Sequence, residues 1–270
     1  MITCNIIGPG DPSKKGFFNF GLGNQLFQIA TTLSLAKDND VTATFPTMLD
    51  GHLGEYHNNL LKKLDIEEGV RTDPNEPPKF TSYLQEPSFS YNELRFVDNC
   101  VYSGYFQSEK YFVHNRDYIL DMFSFPQDNL DYVNSKYADF LEGDTVSLHV
   151  RRGDYVHLES FHVLQDVSYY KEALETFSGY KVLIFSDDIP WCKENLDIEN
   201  ASFIEGESDV VDLLLMSLCK SNIIANSSFS WWGAWLNNNE NKKVIAPKKW
   251  FGPEANYDDS DVIPESWVRV

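Results

Sequence analysis

Two adjacent arginines are the residues of this chain best suited to chemistry. Arg151 and Arg152 follow the strand-like run Thr145–Val150, and the planar donors of a guanidinium group match phosphate oxygens. Side chains alternate along an extended backbone, so we expect one arginine to contact a ligand and the other to brace the loop. His149 shares a face with Arg151, and this pair is the predicted anion site. The alternative interpretation is an ion pair with Asp154 that closes the turn.

Two carboxylates follow the next strand-like run, Lys181–Ser186. Asp187 and Asp188 can accept hydrogen bonds from a purine base or a ribose. They can also cap a helix, because Pro190 stands where a helix would begin. We expect both roles, one for each aspartate.

Small hydroxyl residues, Ser227 and Ser228, precede Phe229 between a strand-like run and a helix-like run. This arrangement places hydroxyl and backbone N–H donors at a helix N-terminus, which makes an anion site without a formal charge. Three tryptophans follow within a few residues, and they either stack on a sugar or pack in the core. These are Trp231, Trp232 and Trp235.

A glycine-rich segment near the N-terminus has two glycines, Gly21 and Gly23, of the G-x-G-x-x-G dinucleotide fingerprint. The third position is Leu26, and no acidic residue closes a second strand at the usual distance. The favoured interpretation is a loop that approaches a ligand closely, with the amides of Asn24 and Gln25 directed towards it. A helix start with turn glycines is the alternative.

The predicted elements that position these residues alternate between strands and helices. The C-terminal half indicates parallel βαβ units of Rossmann type, and the N-terminal half begins in the same way. The sequence therefore predicts an α/β fold with two domains, residues 1–142 and 143–270, the second of Rossmann type. Helices are expected over Asn24–Lys37, Glu109–Leu120 and Asp209–Lys220, and strands include Ile2–Ile7 and Val41–Phe45.

Composition excludes several classes of partner. The 270 residues include 22 basic and 41 acidic residues, a net charge of −19 that suits neither nucleic acid nor an anionic membrane. No apolar run reaches the ~20 residues that span a bilayer. The N-terminus has no signal-peptide pattern, and the four cysteines are far apart, so we expect a cytoplasmic protein with reduced thiols.

No metal or cofactor is expected. Asp38–Asp40 and Asp259–Asp261 match the D-x-D pattern of metal-dependent sugar transferases, but both fall in predicted turns, where aspartate is common.

Together these segments resemble the α-1,2-fucosyltransferases of glycosyltransferase family eleven. The most specific are H-V-R-R-G-D-Y at 149–155 and N-S-S-F-S-W-W-G-A-W at 226–235. The resemblance implies two Rossmann-like domains facing across a cleft (GT-B type), the donor domain being C-terminal. It also implies an inverting, metal-independent transfer of L-fucose from GDP-fucose to the 2-hydroxyl of a terminal β-galactoside. The other matching stretches are residues 21–28, 104–112, 185–188 with Trp191, and 212–236.

The resemblance also implies donor-binding roles. Arg151 would hold the β-phosphate of GDP, and His149 with Asp187 or Asp188 would recognise the guanine. The remaining residues of the implied donor site are Arg152, Ser227, Ser228 and Phe229.

On the acceptor side, the resemblance implies that Gly23, Asn24 and Gln25 face the fucose and the acceptor. The base that deprotonates the acceptor is expected among Asp154, His157 and Glu159, with Glu159 favoured. Asp154 alternatively only orients Arg152. Two departures from the family pattern, an insertion at Gly8–Phe20 and a proline-rich stretch at 72–90, leave the acceptor open.

Three other functions fit part of the pattern. A non-catalytic glycan-binding module would explain the tryptophans, an NAD-linked oxidoreductase would explain the glycines, and a transferase for another nucleotide sugar would use the same pyrophosphate site.

Overall fold

The computed structural model describes residues 1–4, 21–45 and 80–270. The insertion at 8–20, the end of the first predicted strand and residues 72–79 of the proline-rich stretch lie outside the described residues. Within these ranges the chain forms two compact units. One comprises Met1–Pro126 with Ser260–Val262, and the other comprises Gln127–Asp259 with Ile263–Val270.

The first unit contains a three-stranded parallel sheet in the order β1-β3-β2. Helix α1 begins two residues before its predicted start, with Gly21 at its N-cap. Gly23 therefore lies in the first turn of the helix and not in a preceding loop. The apolar positions Leu26, Ile29 and Leu33 are fully buried, as their spacing of three to four residues requires. The elements are β1 Ile2–Cys4, α1 Leu22–Asp38, β2 Ser82–Gln85, β3 Cys100–Ser103 and α2 Arg116–Met122.

Two elements of this unit differ from the prediction. The strand expected over Val41–Phe45 is reduced to one parallel bridge between Ile2 and Ala43. The helix expected from Glu109 is divided into two 3-10 turns that precede α2.

The second unit contains a six-stranded sheet whose neighbouring strands are all parallel. Its strand order is β6-β5-β4-β7-β8-β9. The elements are α3 Gln127–Lys136, α4 Ala138–Leu141, β4 Thr145–Val150, α5 Val167–Leu174, β5 Lys181–Ser186, α6 Ile189–Asn195, β6 Ala201–Phe203, α7 Asp209–Leu218, β7 Ser221–Ile223, α8 Ser228–Leu236, β8 Val244–Ala246 and β9 Val268–Arg269.

Residues 127–142, predicted to close the first domain, belong to this second unit, where α3 packs against α7. Helix α7 starts at the predicted residue, and its N-cap is Ser208.

The core of the second unit explains the position of its central strand. All six residues of β4 are buried, as expected for a strand covered on both faces of a parallel sheet.

From β4 the chain adds β5 and β6 on one side, and it then crosses to add β7 and β8 on the other. The strand order therefore reverses between β4 and β7. Parallel α/β sheets bind ligands outside the carboxyl ends of the strands at such a reversal.

No helix among residues 1–4, 21–45 and 80–270 is long and apolar enough to cross a membrane. In the same ranges no three His, Cys, Asp or Glu side chains are grouped closely enough to bind a metal ion.

Candidate active site

Arg151 lies directly after β4, at the reversal of strand order. One of its terminal nitrogens is 2.6 Å from Asp154 Oδ1, and the other is 3.0 Å from Asp187 Oδ2. Its guanidinium carbon is also 5.2 Å from the centre of the Tyr155 ring. Partial burial lowers the pKa of Arg151, but the charges of Asp187 and Asp154 outweigh it and raise the pKa overall. The side chain is 33% exposed, so a permanent positive charge is accessible here.

Arg152 has a different set of partners. Its Nε is 3.1 Å from Asp188 Oδ2, and its guanidinium lies 4.0 Å from the centre of the Trp191 ring. Asp188 also caps α6 by accepting the Trp191 backbone N–H at 3.2 Å. Arg152 is thus held against the start of a helix, as expected for the bracing arginine of the pair. The predicted capping role for one of the two aspartates falls to Asp188.

Asp187, which follows β5, contacts both arginines that follow β4. Its Oδ1 accepts the backbone N–H of Arg152 at 2.8 Å, while its Oδ2 pairs with Arg151. A Cβ atom on Gly153 would lie 2.3 Å from Asp187 Oδ2. The backbone that follows the arginines therefore packs directly on this carboxylate, and only glycine permits that approach.

His149 is a buried, uncharged imidazole. Burial and the nearby charge of Arg151 lower its pKa to about 3, and only 5% of the residue is exposed. Its ring centre lies 5.8 Å from that of Phe229, in the first turn of α8. His149 Nδ1 is buried and has no hydrogen-bond partner among the described residues. A buried polar atom of this kind favours a ligand or water as its partner.

The strand order reverses between β4 and β7, and the segment between β7 and α8 follows the second of these strands. The Tyr155 hydroxyl donates to the Asn226 carbonyl at 3.1 Å, which joins the loop after β4 to this segment. Ser227 is the N-cap of α8, but its side chain makes no capping hydrogen bond, and the first turn contains no acidic residue. The first N–H groups of a helix have no partner within the helix and carry a partial positive charge. The arrangement can therefore bind an anion next to the loop that carries Arg151.

The three tryptophans of α8 form part of the core. Trp231, Trp232 and Trp235 are each at most 1% exposed. The Trp231 and Trp235 rings are stacked at 6.2 Å, and Trp232 meets Trp231 edge-on at 5.1 Å. The interpretation of this cluster as a sugar-stacking surface is wrong, because none of the three rings reaches the surface.

The predicted base candidates are in different environments. Asp154 pairs with Arg151, so the suggestion that it orients Arg152 is wrong; Arg152 pairs with Asp188 instead. Glu159 and His157 are both exposed. No cation of the described residues lies within ion-pair distance of Glu159.

The acceptor-side residues all lie in the first two turns of α1. Asn24 is partly exposed, and its Oδ1 accepts a hydrogen bond from Gln107 Nε2 at 2.7 Å. Gln25 is only 2% exposed, so Asn24 carries the accessible amide of the two. Gln107 was not predicted as a site residue, although it lies in the stretch 104–112 that matched the family.

Comparison with known proteins matches residues 19–270 to the model of glycosyl transferase family 11. The chain belongs to this family. A glycosyltransferase of O-antigen biosynthesis from Escherichia coli, WbnK, is 37% identical over 70% of this chain and 68% of its own length. An α-1,2-colitosyltransferase from Escherichia coli is 33% identical over 93% and 96%. Galactoside α-(1,2)-fucosyltransferase 2 of the gorilla is 28% identical over 87% and 72%.

Solved structures share the fold. POFUT1 in complex with GDP-fucose aligns with a TM-score of 0.52 over 90% of this chain and 96% of that chain, at 13% identity. NodZ α-1,6-fucosyltransferase soaked with GDP-fucose aligns with a TM-score of 0.50 over 80% and 89%, at 12% identity. The resemblance to the family is confirmed, and this family 11 protein is a glycosyltransferase with an α/β fold of parallel sheets.

Proposed function

We propose that this glycosyltransferase transfers L-fucose from GDP-fucose to the 2-hydroxyl of a terminal β-galactoside, with inversion at the fucose C1. The observation that carries the proposal is the link between the loop that bears Arg151 and the segment before the uncapped N-terminus of α8. The Arg151 guanidinium lies 5.2 Å from the centre of the Tyr155 ring, and the Tyr155 hydroxyl donates to the Asn226 carbonyl. A cation and neutral helix-end donors on neighbouring loops suit a pyrophosphate. The GT-B arrangement of the two units stays a prediction.

In the proposed reaction the 2-hydroxyl oxygen of galactose forms a bond to fucose C1 and gives its proton to the base. The bond between C1 and the β-phosphate oxygen breaks, and its electron pair moves to GDP. Negative charge therefore develops on the β-phosphate while C1 acquires oxocarbenium character. Arg151 and the donors at Ser227 and Ser228 stabilise that charge where it forms. Fixed donors of this type commonly account for most of the rate enhancement. The proposal assigns this role to Arg151 and not to a metal ion.

The two carboxylates on Arg151 are held unequally. Asp187 is also fixed by the Arg152 N–H, whereas Asp154 has a side chain that is 57% exposed. An incoming phosphate therefore displaces Asp154 more easily than Asp187. His149, beside Arg151, remains the proposed partner of the guanine together with Asp187 or Asp188.

The proposed base is Glu159. The ion pair with Arg151 engages the Asp154 carboxylate, whereas Glu159 is exposed and has no ion-pair partner among the described residues. The acceptor itself is assigned to Asn24 and its neighbours in α1.

A second donor, GDP-colitose, is favoured by one observation. The α-1,2-colitosyltransferase is 33% identical to this chain, whereas the gorilla fucosyltransferase is 28% identical. Colitose is fucose without its 3-hydroxyl, so the two donors present the same pyrophosphate and the same C1 to the site.

The test is a donor and acceptor panel. GDP-fucose and GDP-colitose are each incubated with terminal β-galactosides and with non-galactose controls, and the product linkage is determined by NMR. We expect an α-1,2 product on galactose with GDP-fucose. Preference for GDP-colitose would replace the donor but keep the linkage, and an α-1,3 or α-1,6 product would refute the proposal. Binding of galactosides without any GDP binding would favour a glycan-binding module.

A further inference from the structure

Glu86 lies in the first unit, and its carboxyl group has no role in the proposed mechanism. It follows β2, and its side chain lies against the loop after β3. Its Oε2 accepts the backbone N–H groups of Tyr105 at 2.7 Å and Phe106 at 3.1 Å. Its Oε1 lies 3.2 Å from the Phe106 nitrogen and accepts the Tyr111 hydroxyl at 3.3 Å. Both oxygens are therefore occupied by donors of this one loop and the turn that follows it.

The loop packs closely on Glu86 and contains a strained residue. A Cβ on Gly104 would lie 2.4 Å from the Glu86 Cβ and 2.5 Å from Oε2, so the two segments are packed as closely as glycine allows. Phe106 has a φ of +52°, a left-handed conformation that is unfavourable for a bulky residue. The hydrogen bonds to Glu86 hold the Phe106 N–H in that conformation.

The same loop is bonded to the start of α1. Gln28 Nε2 donates to the Gly104 carbonyl at 2.8 Å, and Gln107 Nε2 donates to Asn24 Oδ1 at 2.7 Å. Because the Asn24 oxygen is occupied, its Nδ2 remains to donate to a ligand. A continuous chain of contacts thus runs from Glu86 through the loop to the accessible amide of the acceptor-side segment.

Within the described ranges no Lys, Arg or His nitrogen lies within ion-pair distance of the Glu86 carboxyl group. Burial raises the pKa of Glu86 to about 7, against the opposing effect of the hydrogen bonds from Phe106, Tyr105 and Tyr111. Glu86 is only partly exposed, and withdrawing a carboxylate from water without a counter-ion is costly. An ionised Glu accepts hydrogen bonds through both terminal atoms, whereas a Gln would present an NH₂ donor to one of the same N–H or O–H groups.

We infer that Glu86 is a positioning residue for the acceptor: it holds the Gly104–Gln107 loop so that Gln107 orients the Asn24 amide towards a hydroxyl of the galactoside. The inference rests on the proposed function, since the acceptor class comes from there. Glu86 itself does not touch the substrate.

The test compares Glu86→Gln with Glu93→Gln, an exposed glutamate of the same unit. Glutamine keeps the length of the side chain, but its NH₂ group cannot accept a hydrogen bond. The N–H or O–H group that faces this NH₂ group therefore loses its acceptor. An unsatisfied buried donor of this kind typically costs a factor of about ten or more in an equilibrium constant. We expect the acceptor KM of Glu86→Gln to rise about tenfold or more. The affinity for GDP, measured by calorimetry, should stay within twofold, and Glu93→Gln should match the wild type.

A second variant changes the loop residue that packs on Glu86. Gly104→Ala leaves the carboxylate intact but displaces it, and it should show the same rise in acceptor KM with unchanged GDP binding. The fraction of folded protein is measured by thermal unfolding for each variant, so that losses in KM are separated from losses in folded enzyme.

The outcomes are distinguishable. An unchanged acceptor KM in folded Glu86→Gln would overturn the inference and leave the proposed function intact. A parallel loss of GDP affinity and acceptor use would also overturn it, because Glu86 would then support only the fold. A wild-type protein that transfers nothing to galactosides would overturn the proposed function and the inference together.

Discussion

Replacing Arg151 with alanine is the most direct test of the proposal that this arginine stabilises the charge developing on the β-phosphate. The substitution removes the guanidinium that lies 2.6 Å from Asp154 and 3.0 Å from Asp187. Removal of one fixed donor to a developing oxyanion typically costs about 2.7–4 kcal/mol, or a factor of roughly 10² to 10³ in kcat. The loss here should be at least that large, because the two carboxylates then face the pyrophosphate without a counter-charge.

The assay follows GDP release at varied donor concentration and fixed acceptor, with thermal unfolding to confirm the fold. Arg152→Ala is the matched comparison. It removes the contacts to Asp188 and Trp191, so it should lower stability and reduce kcat by less than tenfold. In the double variant Arg151→Ala, Asp154→Asn, part of the donor affinity should return, since one repelling carboxylate is gone. Turnover of Arg151→Ala within tenfold of the wild type would refute the assignment.

Three further predictions concern the same unit. Since the pKa of His149 is lowered to about 3 in the fold, the unfolded chain gains a proton near pH 6.5 that the native state does not, and stability falls as the pH decreases. Between pH 7.5 and 5.5 the wild type should lose about 1.4 kcal/mol more than His149→Gln, measured by urea unfolding at both pH values. Trp235→Ala should cost about 3–5 kcal/mol in denaturant unfolding without changing glycan affinity per folded molecule, because the ring is buried in the core; weakened glycan binding at full stability would restore the sugar-stacking interpretation. Gly153→Ala should displace Asp187 and raise the donor KM about tenfold, as expected for losing a hydrogen bond to a charged group; an unchanged donor KM would show that Asp187 does not position Arg151.

Local patterns identified the strands and helices of the second unit well. The run Lys181–Ser186 predicted a strand, and β5 occupies those residues. The first unit was less predictable. The pattern over Glu109–Leu120 indicated one helix, but Phe112 has a non-helical backbone between two 3-10 turns, and its side chain is fully buried. Tertiary burial of this ring outweighs the helical spacing around it.

The candidate site was predictable where side chains lie next to each other along the chain. Arg151 and Arg152 could be assigned different roles because neighbouring residues of a strand point in opposite directions, and their partners, Asp187 and Asp188, are indeed different. The extent of burial was not predictable in the same way. The spacing of Trp231 and Trp235 places their rings on one face of a helix. That face can be buried in the core or exposed to solvent, and the spacing is the same in both cases.

The sequence by itself determined the family, the alternation of strands and helices, and the presence of adjacent arginines and helix-end hydroxyl residues that suit an anion. Those properties depend on local spacing and on short motifs. Only the tertiary structure decided that Tyr155 reaches Asn226 and that Glu86 lies under the Gly104–Gln107 loop. Contacts of that kind join residues that are 71 and 19 positions apart. They depend on which strand lies beside which, and the order β5-β4-β7 is a property of the assembled sheet and not of any one segment.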